Sequence, residues 1–70
     1  MRIKDLREDA DLNQQVLAEY LNVGQSTYSQ YENGKRQIPL EALVKLAQFY
    51  HVSTDYILGL TDKREPYGTK

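Results

Sequence analysis

The sequence predicts an all-α domain, a compact five-helix bundle, on three observations. Apolar residues recur at helical spacing through most of the first sixty positions. One device for entering a helix appears at three places: Leu12 with Leu17, Val23 with Tyr28, and Val52 with Ile57. In each, an apolar residue just before the cap meets another five positions later, a hydrophobic staple that sets the entry angle of the chain. No strand alternation, internal repeat or low-complexity run competes with this pattern.

Taken in order, Ile3, Leu6 and Ala10 predict a short first helix over roughly residues 2–9. Asn13 is a good N-cap for a second helix, 14–21, where Leu17 and Leu21 share a face with Ala18 beside them. Asn22 stands where the chain must turn through a left-handed residue, which asparagine tolerates. Gly24 opens a third helix, 25–32, with Tyr28 and Tyr31 as its apolar face, and Asn33-Gly34 stops it. After a polar loop, Pro39 suits the first turn of a fourth helix, 39–50, whose stripe is Leu40, Leu43, Leu46, Ala47 and Tyr50. His51 takes its exit. Ser53 caps a fifth helix, with Tyr56, Ile57 and Leu60 expected on the inner face. Residues 61–70 lose periodicity and read as a flexible C-terminal tail, leaving 1–60 as the domain.

Seventy residues make one domain near the lower limit for unaided folding. With no cysteine, neither a disulfide nor a thiolate-metal site can brace it. No apolar run approaches the roughly 20 residues that cross a bilayer. The charged start Met1–Glu8 lacks a signal peptide's apolar stretch, so a cytoplasmic chain without membrane contact is expected. One histidine, no phosphate loop and no paired buried carboxylates leave nothing from which to assemble an active site. No catalytic residue, metal, cofactor or small-molecule ligand is therefore expected. Glu8, Asp9 and Asp11 read as a solvated helix end, and His51 as a helix-end residue.

The informative stretch is Gln14–Gly34, two short amphipathic helices joined by a tight turn. With Tyr28 and Tyr31 turned inward, Gln25, Ser26, Ser29 and Gln30 must lie largely on the other side of the third helix. That side carries no charge until Glu32, unusual for a solvent face in a chain with 27% charged residues. Amides and hydroxyls there suit reading of base edges in a DNA major groove, glutamine pairing with adenine through N6 and N7. Plain solvated surface is the alternative. Asn13 and Gln14 start a helix, where unpaired N–H groups and the dipole attract phosphate. Asn13 is equally an ordinary cap, whereas Gln14 needs no structural role. Asn33, Lys35 and Arg36 follow the reading helix and could hold the same backbone. The net charge of −1 and pI of about 5.7 imply a modest electrostatic contribution. Tyr28, Tyr31, Tyr50 and Tyr56 could signal stacking on single strands. At helical spacing they read as core rings with hydroxyls reaching the rim.

From Leu6 to Leu60 the chain resembles the Cro/repressor-type helix-turn-helix family, also called the XRE family, of prokaryotic and phage regulators. The matching pieces are Leu6-Arg7-Glu8, Leu12-Asn13-Gln14, Leu17-Ala18, Leu21-Asn22-Val23, Ser26-Thr27, Tyr31-Glu32-Asn33-Gly34-Lys35, Leu43, Leu46-Ala47 and Val52-Ser53. The resemblance implies a five-helix domain of the lambda-repressor-like type, with 14–21 as positioning helix and 25–32 as recognition helix. It implies phosphate contacts from Gln14, Asn33 and the loop after it, and base contacts from Gln25, Ser26 and Gln30. It also implies an Arg7–Glu32 ion pair, which would remove Arg7 from the phosphate contacts. Asn22, Gly24 and His51 depart from the family's usual glycine, serine and glycine.

The expected function is sequence-specific binding of double-stranded DNA by a transcriptional regulator, a repressor in the first instance, acting as a homodimer on a palindromic operator. One domain of this size contacts few base pairs, and pairing on half-sites roughly 34 Å apart supplies the rest. The expected dimer surface is the fourth-to-fifth helix region, with Phe49, Tyr56 and Leu60; core burial would explain Tyr56 and Leu60 equally well. The alternative is an antitoxin-like module that neutralises a partner and represses its own promoter, for which the ten tail residues offer little wrapping surface.

Overall fold

Five α-helices follow one another in the computed structural model, which describes residues 1–66: α1 (Ile3–Asp9), α2 (Gln14–Leu21), α3 (Gln25–Glu32), α4 (Leu40–Tyr50) and α5 (Thr54–Leu58). No strand occurs among the described residues, and none of their helices is long and apolar enough to cross a membrane. The predicted order of elements and their limits hold to within a residue or two. Arg2 and Pro39 stand just outside α1 and α4 as N-caps.

Every one of these helices closes in the same way. A residue with φ near +60° to +80° follows the last turn: Asp11, Asn22, Gly34, His51 and Gly59. The next N–H then reaches back to a carbonyl five residues earlier, as Leu12 to Arg7, Val23 to Ala18, Lys35 to Gln30, Val52 to Ala47 and Leu60 to Asp55, at 2.9–3.1 Å. This paired closure satisfies carbonyls that a bare helix end would leave open. Asn22 takes the left-handed role assigned to it, and His51 does so despite its bulk. Asp11 was not anticipated there.

Closure of one helix also prepares the next. Leu12, Val23 and Val52, which donate the closing bonds, are also the residues that precede the following N-caps. All three are buried or packed against the core, as the staple pattern predicts. Asn13 Oδ1 accepts from Val16 N–H at 3.2 Å, and Ser53 Oγ accepts from Tyr56 N–H at 3.0 Å. Gly24 caps α3 with no side-chain bond.

The core is built from Ile3 and Leu6 of α1, Leu17, Ala18 and Leu21 of α2, Tyr28 and Tyr31 of α3, Leu43, Leu46 and Ala47 of α4, and Ile57 of α5. Each fully buried Leu or Ile contributes roughly 1.5–3 kcal/mol, so a domain this small depends on all of them. The start of α1 is drawn to α5 by Arg2 N–H, which donates to the Ile57 carbonyl at 2.7 Å.

Three apolar expectations are corrected. Leu40 is 74% exposed, because it starts α4 beyond the edge of the bundle, where no helix lies over it. Leu60 is 73% exposed: α5 ends at Leu58, and the turn at Gly59 carries Leu60 off the inner face. Ala10, at the exit of α1, is exposed as well. Of the segment expected to be a loose tail, residues 61–66 carry no helix yet return to the body. The Arg64 carbonyl accepts from Ser53 N–H at 2.9 Å, and the Arg2 and Arg64 guanidinium carbons lie 4.3 and 5.2 Å from the Tyr56 ring centroid. Residues 67–70 of that segment lie outside the described residues.

Candidate nucleic-acid interface

The face of interest is produced by α3. Tyr28 and Tyr31 are buried, their rings edge to face at 6.4 Å, and they anchor one side of the helix. Gln25 and Ser26 are exposed on the first turn, and Ser29 and Gln30 are half-buried further along. The division between ring-bearing and amide-bearing sides is the one the spacing predicts. It places an uncharged polar surface at the start of a helix whose rotation is locked by two buried rings.

A carboxylate locks the other end. Arg7 Nε donates to Glu32 Oε2 at 2.7 Å and Arg7 Nη2 to Oε1 at 3.1 Å, while Arg7 Nη1 donates to the Leu12 carbonyl at 2.9 Å. Gln14 Nε2 donates to Glu32 Oε1 at 3.1 Å. The end of α3 is thereby tied to α1 and to the first residue of α2. Gln14 therefore does have a structural role, contrary to the expectation. Sequence spacing could not reveal it, because the two residues meet only when α2 and α3 cross.

The Glu32 side chain is 1% exposed. Burial pushes its carboxyl upward, and the hydrogen bonds led by Arg7 outweigh that, so it remains ionised below the ordinary carboxylate range. A carboxylate in a helix's last turn also opposes the helix dipole, and the two-pronged Arg7 contact offsets this too. Burial, followed by interaction with the Glu32 carboxylate at hydrogen-bonding range, pushes the Tyr28 phenol well up, and burial, followed by the nearby Glu32 charge, pushes the Tyr50 phenol up to about 12. Both hydroxyls are buried, Tyr50's without a hydrogen-bond partner, so they do not reach the rim as expected. Tyr20 does so, its hydroxyl donating to the Lys45 carbonyl at 2.9 Å.

Cationic and amide groups flank the polar face of α3. Asn13 is exposed, its oxygen engaged as the α2 cap. Asn33 Nδ2 lies 3.5 Å from Ser29 Oγ, and Lys35 is exposed in the loop after α3. Arg36 is not a plain loop cation: its Nε donates to Gln30 Oε1 at 2.9 Å. The signal for this contact was the Asn33-Gly34 pair, read only as a stop. Its left-handed turn folds the following residues back over Gln30. The acidic residues Asp5, Glu8, Asp9 and Asp11 are all exposed.

Of the residues expected at a dimer surface, Phe49 is 39% exposed and packs on Tyr20 with ring centroids 4.9 Å apart. Tyr56 is half-buried beneath the two guanidiniums, and Leu60 is exposed. Met1, Leu40 and Leu58, none of them anticipated, line an apolar groove of about 410 Å³ beside Gly34, Arg36 and Gln37.

The Helix-turn-helix family model matches residues 3–57, from the start of α1 into α5. The chain belongs to the helix-turn-helix family. This helix-turn-helix chain is 45% identical over 65 residues to the uncharacterized HTH-type transcriptional regulator YobD of Bacillus subtilis (strain 168), covering 93% of the chain and 58% of that protein. It is 43% identical over 58 residues to the HTH-type transcriptional regulator ImmR of the same organism, covering 83% of the chain and 46% of that protein. Over 51 residues it is 47% identical to the cryptic phage CTXphi transcriptional repressor RstR of Vibrio cholerae, covering 73% of the chain and 46% of that protein. The chain thus spans about half the length of these relatives. No solved structure gives a significant match.

Proposed function

We propose that this chain binds double-stranded DNA in a sequence-specific manner and regulates transcription, as a repressor acting in pairs on a palindromic operator. The observation that carries this is the α3 surface: Gln25 and Ser26 exposed and uncharged, on a helix held by Tyr28, Tyr31 and Glu32. Such a helix can enter a major groove with its side chains already in register. Gln25, Ser26, Ser29 and Gln30 contact base edges. Asn13, Gln14, Asn33, Lys35 and Arg36 hold the phosphates on either side, and fix orientation more than sequence. Gln14 keeps a second amide hydrogen for a phosphate oxygen while Glu32 holds the first. The relatives named as transcriptional regulators and as a phage repressor support the same reading.

The second copy docks on the groove of Met1, Leu40 and Leu58, with Leu60 nearby in sequence, rather than on Phe49. Leu40 is far more exposed than Phe49, and the groove adjoins the loop that carries Arg36, so pairing there brings two cationic loops to one DNA backbone.

Selection of binding sites from a random duplex pool tests the whole reading, with a palindromic site of half-sites about one helical turn apart expected. Recovery of no preferred duplex at low salt refutes it. Sedimentation of Leu40→Ser with Leu58→Ser, compared with Phe49→Ser, tests the surface. The double variant is expected to be monomeric and Phe49→Ser to remain paired, and the reverse pattern returns the interface to Phe49.

A further inference from the structure

The contact between Arg36 and Gln30 restricts which base Gln30 can read. Arg36 Nε–H donates to Gln30 Oε1 at 2.9 Å. The backbone reinforces it: Lys35 and Arg36 N–H groups donate to the Gln30 carbonyl at 2.9 and 3.3 Å, beyond the left-handed Gly34. An amide has two unlike ends, an oxygen that accepts and a nitrogen that donates. With both ends free, glutamine pairs with adenine, accepting from N6–H and donating to N7. Here the oxygen is held by a cation, and the Nε2 hydrogens are the end left to the groove.

We infer that Gln30 reads guanine, donating to its N7 and O6, and that Arg36 is the positioning residue that makes it do so. This rests on the major-groove reading of α3 proposed above. The second lone pair of Oε1 does not restore adenine, because an N6–H donor placed on it would stand beside the guanidinium, positive against positive. Guanine offers two adjacent acceptors at that edge, whereas thymine offers one beside a methyl group. The terminal nitrogens of Arg36 remain for phosphate. One side chain therefore seats the backbone and orients the base reader. Lysine could supply the charge but lacks the planar fork that holds an amide while contacting phosphate.

The test is site selection from random duplexes with the full chain as wild type, Gln30→Ala and Arg36→Lys, circular dichroism confirming that each variant is folded. Gln30→Ala identifies the operator position that Gln30 governs, by loss of preference there alone. Wild type is expected to take guanine at that position. Arg36→Lys, which keeps the cation, is expected to cut the preference for guanine over adenine at that position by about fivefold or more, while preferences at positions governed by Gln25 persist. Adenine or thymine in wild type, no position governed by Gln30, or an unchanged guanine preference in Arg36→Lys overturns the inference. If positions governed by Gln25 survive in that case, the DNA-binding reading stands and only the role of Arg36 falls. If no protein selects any duplex, both fall.

Discussion

Arg7 and Glu32, separated by 25 residues, meet through two hydrogen bonds of 2.7 and 3.1 Å at a point where three helices converge. Glu32 is nearly sealed from solvent and Arg7 mostly so, with side chains 1% and 13% exposed. Removing one member leaves the other charged and buried. Arg7→Ala is expected to cost about 3 kcal/mol or more in chemical denaturation, a large share of the stability of a small domain. Arg7→Met with Glu32→Leu should recover most of that loss. Equal damage in the double variant would show that the pair does more than neutralise itself.

The same pair sets a pH dependence. The Glu32 carboxyl lies below its ordinary value of 4.5, so between the two values the unfolded chain binds more protons than the folded one. Stability from the pair is present in full above that ordinary value and is lost as pH falls through the folded one. Arg7 is raised from a value already above any working pH and adds no slope. Thermal melts from pH 7 down to pH 2 are expected to fall more steeply for wild type than for Glu32→Gln. Parallel curves would remove Glu32 as the acid-sensitive group.

Tyr50 carries a buried hydroxyl with no hydrogen-bond partner. An unsatisfied buried hydroxyl costs free energy that a phenyl ring does not, so Tyr50→Phe is expected to stabilise the domain by about 1 kcal/mol. A rise in melting temperature checks this.

Two helix ends make opposite predictions. His51 adopts φ 56°, which a β-carbon makes costly, so His51→Gly is expected to gain about 0.5–1 kcal/mol. Gly59 adopts φ 81°, with open space around it, so Gly59→Ala is expected to lose about 1 kcal/mol from backbone strain alone. Denaturant midpoints for both variants give the comparison.

At the interface, Gln25→Ala is expected to lose about 1–3 kcal/mol of discrimination at one base position with the fold intact. Lys35→Ala should instead weaken binding to all duplexes alike and reduce the salt slope by about one. Titrations on the selected site and on scrambled duplexes, across salt concentrations, separate the two. Uniform loss from Gln25→Ala would count against base reading.

The helices were legible because their signals are local. Caps at Asn13 and Ser53, staples at Leu12, Val23 and Val52, and the left-handed Asn22 each depend on neighbours within about five residues. The inward turn of Tyr28 and Tyr31, and hence the polar side of α3, follows from helical periodicity in the same way. Periodicity fails at the edges: Leu40 and Leu60 fit an apolar stripe and are exposed, because a stripe says nothing of where the neighbouring helix stops.

The sequence by itself thus determined five helices, their order, and which side of α3 faces outward. Only the tertiary structure decided what those outward groups are free to do. The crossing of α2 and α3 commits one Gln14 hydrogen to Glu32, and the turn at Gly34 lays Arg36 on Gln30. The physical reason is that a hydrogen bond depends on distance and angle between atoms, and for residues far apart in the chain these are set by packing alone.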